Sequence, residues 1–184
     1  MESTENEARP ARGPPQARTG FTMANGLVAL LAAAALAVAL LVPGPAGPGT
    51  LMAQNSRGGP MTIRAACTHY AGAEVTIAVP GPGTVVVSAT VGVGVNHSFG
   101  TNDEARIVVA ASDTECAITN HTAFVSVPQT LPTDPFHFQT VPVLRPFAVA
   151  AGSHTFYVNG VMASGADVND RFDSASLVAV FYPA

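Results

Sequence analysis

The sequence contains no lysine and little charge of either sign. Its 184 residues hold 8 basic residues, all arginine, and 12 Asp or Glu, so the charged fraction is 11%. That is less than half of the roughly 25% typical of globular domains. Downstream of position 53 the five arginines are scattered and form no basic cluster. Because a nucleic-acid-binding protein needs a positive surface to neutralise phosphates, this class of function is excluded.

Sequence signatures of catalysis are also absent. There is no GxSxG segment that would present a nucleophilic serine. Ser153 and His154 are sequence neighbours, and neighbours on a strand point to opposite faces of the sheet. The five histidines show neither HxH nor HExxH spacing. We therefore predict that the protein is not an enzyme, has no catalytic residues and needs no cofactor.

Candidate metal ligands are concentrated in one acidic segment. DVNDRFD, residues 167–173, contains Asp167, Asp170 and Asp173, whose carboxylates are the type of ligand that calcium prefers. The segment lacks the DxDxDG order of a known calcium loop and is interrupted by an arginine, so a solvated turn is the alternative. His154, with another histidine or with Asp170, is the candidate centre for a second hypothesis of function. In that hypothesis the protein is a secreted metal-binding protein or enzyme.

Cysteine is limited to Cys67 and Cys116. In an exported domain an even pair most simply forms one disulfide. Such a bond would close a loop of about 50 residues and stabilise the fold by roughly 3–4 kcal/mol. A free-thiol or metal role is the alternative, which export disfavours because it selects against unpaired reactive thiols.

The N-terminal part of the chain has the organisation of an export segment. Residues 1–20 are rich in Pro, Gly and charge, which predicts a disordered N-terminal extension. Residues 21–43 include an uninterrupted apolar run, 27–42, that is longer than most signal-peptide cores and shorter than most membrane-spanning helices. A cleaved signal peptide and an uncleaved signal-anchor helix both remain open. Residues 44–60 are predicted to be a Pro/Gly-rich linker.

Either outcome places residues 61–184 outside the cytoplasm, as a secreted or a surface-anchored extracytoplasmic domain. Arginines upstream of the apolar run favour a cytoplasmic N-terminal end. If the segment is not cleaved, residues 21–43 are the predicted contact with a membrane. The export segment and the exclusive use of arginine among the basic residues indicate a bacterial source.

Residues 61–184 alternate apolar and polar side chains with period two, the pattern of half-buried strands. The predicted strands are 74–79, 84–95, 105–112, 123–127, 136–143, 145–150, 153–159 and 176–182. The last of these is apolar on both faces, as is typical of a central strand that is covered on both sides. We therefore predict an all-β, antiparallel β-sandwich of jelly-roll type with eight to ten strands, preceded by one hydrophobic N-terminal helix.

Three segments of this region carry a family resemblance. They are VTIAVPGPGTVVVSATV (75–91), FAVAAGSHTFYVNG (147–160) and FDSASLVAVFYPA (172–184). They resemble strand-turn-strand and closing-strand segments of the jelly-roll superfamily of the complement subcomponent 1q globular head and tumour necrosis factor. The acidic residue that follows the Ala-Gly turn in that family is replaced here by Ser153 and His154. The resemblance implies a ten-strand jelly roll, frequent homotrimers, and recognition in place of catalysis.

The resulting prediction is a non-enzymatic, exported or membrane-tethered domain for extracellular binding or surface structure. Its expected partners are further copies of the chain in a homotrimer and an unidentified extracellular ligand or surface component. Strand parity places His154 on the same face as Phe156 and Val158. A histidine at the start of such a strand is expected to hydrogen-bond a neighbouring loop at the rim of the sheet.

Overall fold

The computed structural model describes residues 51–184, which fold into antiparallel strands in two layers. The eight strands are β1 (Met52–Thr62), β2 (Thr68–Val79), β3 (Gly83–His97), β4 (Asp103–Ala110), β5 (Ala123–Val127), β6 (Asp134–Val149), β7 (Gly152–Ser164) and β8 (Arg171–Pro183). The first sheet has the strand order β1-β8-β3-β6, and the second has the order β2-β7-β4-β5. Residues 51–184 contain no helix of the length and hydrophobicity needed to span a bilayer.

The strand pairs are nested within one another. β1 pairs with β8, β2 with β7, β3 with β6 and β4 with β5, and every pairing is antiparallel. The chain is thus arranged as one long hairpin wrapped across two sheets, which is the jelly-roll arrangement. The predicted fold class is confirmed for the described residues. The strand number is eight, at the lower end of the prediction and below the ten implied by the resemblance. The expected N-terminal helix lies outside the described residues.

The core lies between the two sheets and follows the alternation of the sequence. The odd-numbered residues of 85–95, five valines and one alanine, are buried along β3. Ile107 and Phe156 cover them from the second sheet, and Phe172 and Leu177 extend the same layer along β8. Burial of apolar area at about 25 cal/mol per Å² is the main stabilising contribution to such a core.

β1 was not among the predicted strands. It begins at Met52, so the first sheet includes most of the segment expected to be a linker, 44–60. Its sequence is poor in apolar residues, and its position depends on the ladder with β8. The Asn55 side-chain amide adds hydrogen bonds of 3.0 and 2.6 Å to the carbonyl oxygens of Gly72 and Glu74. Of the predicted N-terminal segments, 1–20 and 21–43 lie outside the described residues.

β6 is one strand, where the sequence predicted two, at 136–143 and 145–150. The strand contains three prolines, Pro135, Pro142 and Pro146. β6 is an edge strand that pairs only with β3. One side of an edge strand has no ladder partner, so proline can be accommodated there without loss of a ladder hydrogen bond.

The predicted disulfide is present. Cys67 precedes β2 and Cys116 lies in the loop between β4 and β5, and the two sulfurs are bonded. The same loop is held by the Asn159 side chain, whose Nδ2 donates to the carbonyl oxygens of Ser112 and Glu115, both at 2.8 Å. The connection between β4 and β5 is therefore anchored to the second sheet by covalent and polar contacts.

Candidate functional site

The outer face of the first sheet is a broad surface with little charge. One row of residues across its four strands consists of Gln54, Val178, Ser88 and Leu144, and the neighbouring row consists of Met52, Val180, Val86 and Pro146. The outward-facing residues of both rows, together with Tyr182, Ser176 and Thr90, are here called the uncharged face. None of these side chains is ionisable at neutral pH. A surface of this kind costs less to remove from water than a charged one.

Two phenylalanines border the uncharged face at one end. Phe136 of β6 lies across Gly94 of β3, where an added Cβ would overlap the ring, and Phe138 lies across Gly92, where an added Cβ would come within 3.1 Å of the ring and 2.8 Å of the Ser174 Oγ. The guanidinium of Arg171 lies 4.1 Å from the centre of the Phe136 ring. The two glycines therefore provide space for the rings, and the Arg171 guanidinium marks the limit of the uncharged region.

The apolar character of β8 on both faces has a structural consequence. The sequence pattern predicted that other parts of the protein would pack on both faces of β8. In the described residues only the face toward the core is packed against another sheet. Val178 and Val180 are half-buried on the outer side, and Tyr182 is 53% exposed. The outer side of β8 therefore leaves apolar surface in contact with solvent in the described residues.

A buried ion pair lies at one end of the sandwich. His97, the last residue of β3, and Asp103, the first residue of β4, are joined by a 2.5 Å contact between Nδ1 and Oδ2. Both side chains are almost completely inaccessible to solvent. The hydrogen bond from Asp103 raises the pKa of His97 above its ordinary value, against the opposing effect of burial.

A second buried carboxylate lies close to this pair. Asp170 is wholly buried, and its oxygens accept backbone N–H groups of Asn96 at 2.8 Å and Asp167 at 2.6 Å. Burial, together with the charges of Asp167 and Asp103, raises the pKa of Asp170. The Asn169 backbone N–H lowers the pKa of Asp167. Asp103 and Asp167 border a polar cavity of about 280 Å³ between the β3–β4 and β7–β8 loops.

The structure distributes the predicted metal-ligand candidates over several places. Asp167 and Asp170 are neighbours in the β7–β8 loop, whereas Asp173 pairs with Arg171 at 3.2 Å. His154 lies near the start of β7, at the opposite end of that strand from the acidic loop. Within residues 51–184 no three or more His, Cys, Asp or Glu side chains are grouped so as to hold a metal ion. Metal binding by these candidates stays a prediction.

His154 makes the rim contact that strand parity predicted. Its Nε2 lies 2.8 Å from the carbonyl oxygen of Ala150, next to the turn between β6 and β7. This contact connects the start of β7 to the preceding turn.

Sequence reasoning missed the His97–Asp103 pair. The two residues lie near opposite ends of the segment NHSFGTND, which connects the predicted strands 84–95 and 105–112. Because a turn brings its two ends together, a histidine and an aspartate at those ends were a usable signal for an ion pair.

Comparison with known proteins identifies no family. No family model matches the chain, and no curated protein matches it. The Eiger TNF structure from S. frugiperda is 14% identical, with a TM-score of 0.42, and the match covers 73% of this chain and 94% of that chain. The CBM35 domain of Abf62 from Cellvibrio japonicus is 14% identical, with a TM-score of 0.25, and covers 74% of this chain and 100% of that chain. The fold assignment rests on the nested strand pairing of the chain itself.

Proposed function

We propose that this protein is a non-enzymatic, exported or membrane-tethered domain for extracellular binding or surface structure, assembled as a homotrimer through the uncharged face. The observation that carries the proposal is the apolar outer side of β8 in the middle of that face. Val178 and Val180 are half-buried there and Tyr182 is exposed. The proposed contact would give β8 the cover on both sides that its sequence pattern predicts.

The chemistry of the face suits contact between identical copies. In a cyclic trimer two different patches of the chain meet, and charges that find no opposite partner there are buried unpaired at a cost. The uncharged face avoids them, and the cores of homo-oligomeric interfaces are likewise depleted of charge and enriched in apolar and aromatic groups. The number of copies, three, follows from the resemblance of segments 75–91, 147–160 and 172–184 to a superfamily with frequent homotrimers.

A charge on the uncharged face tests the assembly. Ser176 is exposed on β8, between the buried residues Ala175 and Leu177. We expect the parent protein to sediment with three times the mass of one chain. The variant Ser176→Arg should sediment as a single chain, because each interface would then bury an unpaired guanidinium. The measurement is sedimentation equilibrium of the full chain in a mild detergent over a range of concentrations.

A matched substitution on the other sheet is the control. Ser153 is exposed on β7, a central strand of the second sheet. Ser153→Arg adds the same charge and should leave the trimer intact. A parent protein that stays monomeric at high concentration, or equal dissociation by both substitutions, would reject the uncharged face as the interface.

The disulfide between Cys67 and Cys116 supports the exported location, since such bonds persist in oxidising compartments. In cells that express the full chain, Cys67 and Cys116 should resist alkylation until a reductant is added. The measurement is the mass of the protein after alkylation with and without prior reduction. Free alkylation of both thiols without reductant would count against export.

The hydrogen bonding of the histidines supports a non-enzymatic role. His97 and His154 are occupied by structural partners within the described residues. His137 lies 3.5 Å from a carboxylate oxygen of Asp134 and 2.9 Å from the Gln139 side chain. A ring whose two nitrogens are both engaged, as in His97 and His137, offers no free lone pair to a metal ion.

A further inference from the structure

Both ring nitrogens of His97 face oxygen atoms. Nδ1 lies 2.5 Å from a carboxylate oxygen of Asp103, and Nε2 lies 3.2 Å from the carbonyl oxygen of Leu131, in the β5–β6 loop. A neutral imidazole has one N–H and one lone pair, so it can donate to only one of these acceptors. The imidazolium has two N–H groups and donates to both. The geometry therefore selects the protonated ring.

The charged surroundings of His97 favour the same form. Asp103 on β4 makes the direct contact, and Asp134 at the start of β6 adds a second negative charge. His97 and His137 of β6 both line a cavity of about 270 Å³. His137 lies 3.5 Å from a carboxylate oxygen of Asp134. The Asp103 hydrogen bond is the largest cause of the raised pKa of His97, and the Leu131 carbonyl raises it further.

The β5–β6 loop, residues 128–133, makes three further hydrogen bonds to other parts of the chain. The backbone N–H of Gly100 donates to the Gln129 carbonyl at 2.9 Å, the Gln129 N–H donates to Asn102 Oδ1 at 3.0 Å, and the Phe99 N–H donates to the Thr133 hydroxyl at 3.1 Å. These bonds connect the loop to the neighbouring β3–β4 loop. The bond from His97 to Leu131 connects it to a wholly buried side chain of the sandwich.

We propose that the protonation state of His97 controls the β5–β6 loop. The protonated ring holds residues 128–133 against the sandwich, and loss of the proton releases them. In the neutral ring Nδ1 retains the proton, because Asp103 remains the stronger acceptor. The Nε2 lone pair then faces the Leu131 carbonyl oxygen, and the two repel. Release of the loop opens the cavity that Leu131 and Pro132 line. This inference requires neither export nor trimer formation.

The direction of the pH effect follows from linkage. The pKa of His97 in the closed state lies above its ordinary value of 6.5. The loop is therefore held fully when the pH is below the ordinary pKa, and this hold is lost as the pH rises through the pKa of the closed state. The closing equilibrium should weaken by up to tenfold for each pH unit by which the closed-state pKa exceeds that of the open state.

The test combines two measurements on the full chain between pH 5 and 9. Nitrogen-15 chemical shifts of labelled histidine should show both nitrogens of His97 protonated at pH 6, with a titration midpoint above 6.5. The His97 signal is assigned by its absence from His97→Gln. Hydrogen exchange of residues 128–133, corrected for intrinsic base catalysis, should accelerate with the same midpoint, while exchange in β8 does not follow it. A midpoint at or below the ordinary value, or loop exchange that is independent of that midpoint, would overturn the proposal.

Two variants separate a pH-sensitive closure from a purely structural contact. Asp103→Asn keeps the shape of the side chain and removes its charge, so the midpoint of loop opening should move to lower pH. His137→Gln removes a titratable group from the wall of the same cavity and should leave the midpoint unchanged. If His137→Gln moved the midpoint of loop opening and Asp103→Asn did not, the pH effect would belong to His137, and the proposal for His97 would be rejected. If Asp103→Asn fails to fold, the titration of the parent protein and of His137→Gln still decides the question.

Discussion

Replacing Cys67 and Cys116 together with serine is expected to lower the free energy of unfolding by about 4 kcal/mol. The bond joins cysteines that are 49 positions apart. Without the cross-link the unfolded chain gains the conformational entropy of a loop of that length. Total stabilities of domains are roughly 5–15 kcal/mol, so the loss is a large fraction of the whole. The measurement is urea unfolding of the double variant beside the parent protein.

A reductant provides the control for the disulfide. Dithiothreitol should destabilise the parent protein by the same amount and should leave the double variant unchanged. The folded loop retains other anchors, because Asn159 donates to Ser112 and Glu115 and Arg145 donates to Glu115 at 3.0 Å. The expected effect therefore arises mainly in the unfolded chain. A difference smaller than about 1 kcal/mol would show that the cross-link constrains little of the unfolded ensemble.

The substitution Phe172→Ala is expected to destabilise the fold by about 3–5 kcal/mol. The Phe172 ring is fully buried and stacks on the Tyr70 ring, with centroids 4.7 Å apart and planes 5° apart. It also lies against Gly160, where an added Cβ would meet the ring at 2.7 Å. Loss of the ring leaves a cavity between the sheets that rigid strands cannot close. Thermal and urea unfolding measure the change.

A second phenylalanine serves as the matched control. Phe99 lies in the β3–β4 loop and is 71% exposed. Phe99→Ala removes the same atoms from a position with little burial, so its effect should stay within about 0.5 kcal/mol. Equal losses from the two substitutions would mean that Phe172 does not occupy the well-packed site described above.

The strands that form the core were the most predictable part of the fold. The strand 123–127 was predicted with the bounds that β5 has, and the predicted strand 84–95 lies within β3. In both, the apolar side chains alternate with period two because one face is buried and the other is not. A local pattern was sufficient there, since each residue's environment depends mainly on its own parity.

The edge strands were less predictable. β1 has few apolar residues and is held by its ladder with β8, a partner more than 100 residues away in the sequence. β6 contains prolines that are acceptable because its outer edge is unpaired, which the sequence does not reveal. Residues of β1 and β6 are thus placed by the strands they meet and only weakly by their own propensities.

The candidate sites also differ in how much of them the sequence revealed. The disulfide could be inferred from two cysteines and an export segment. The His97–Asp103 pair was visible only as a histidine and an aspartate at the ends of a turn. The bond from His97 to Leu131 spans 34 residues and required the β5–β6 loop to be in place. The uncharged face likewise depends on four strands that are not consecutive in the chain.

By itself, the sequence determined the fold class, the inward-facing side chains and the cysteine pair, because each follows from local alternation or from a count. The tertiary structure decided which sheet leaves an apolar face uncovered and which ionisable groups meet in the interior. Those outcomes depend on strand order and register, which are set by contacts between distant segments. Val178 illustrates the division: its apolar character is evident from the sequence, but the lack of a covering layer beside it became visible only in the assembled sandwich.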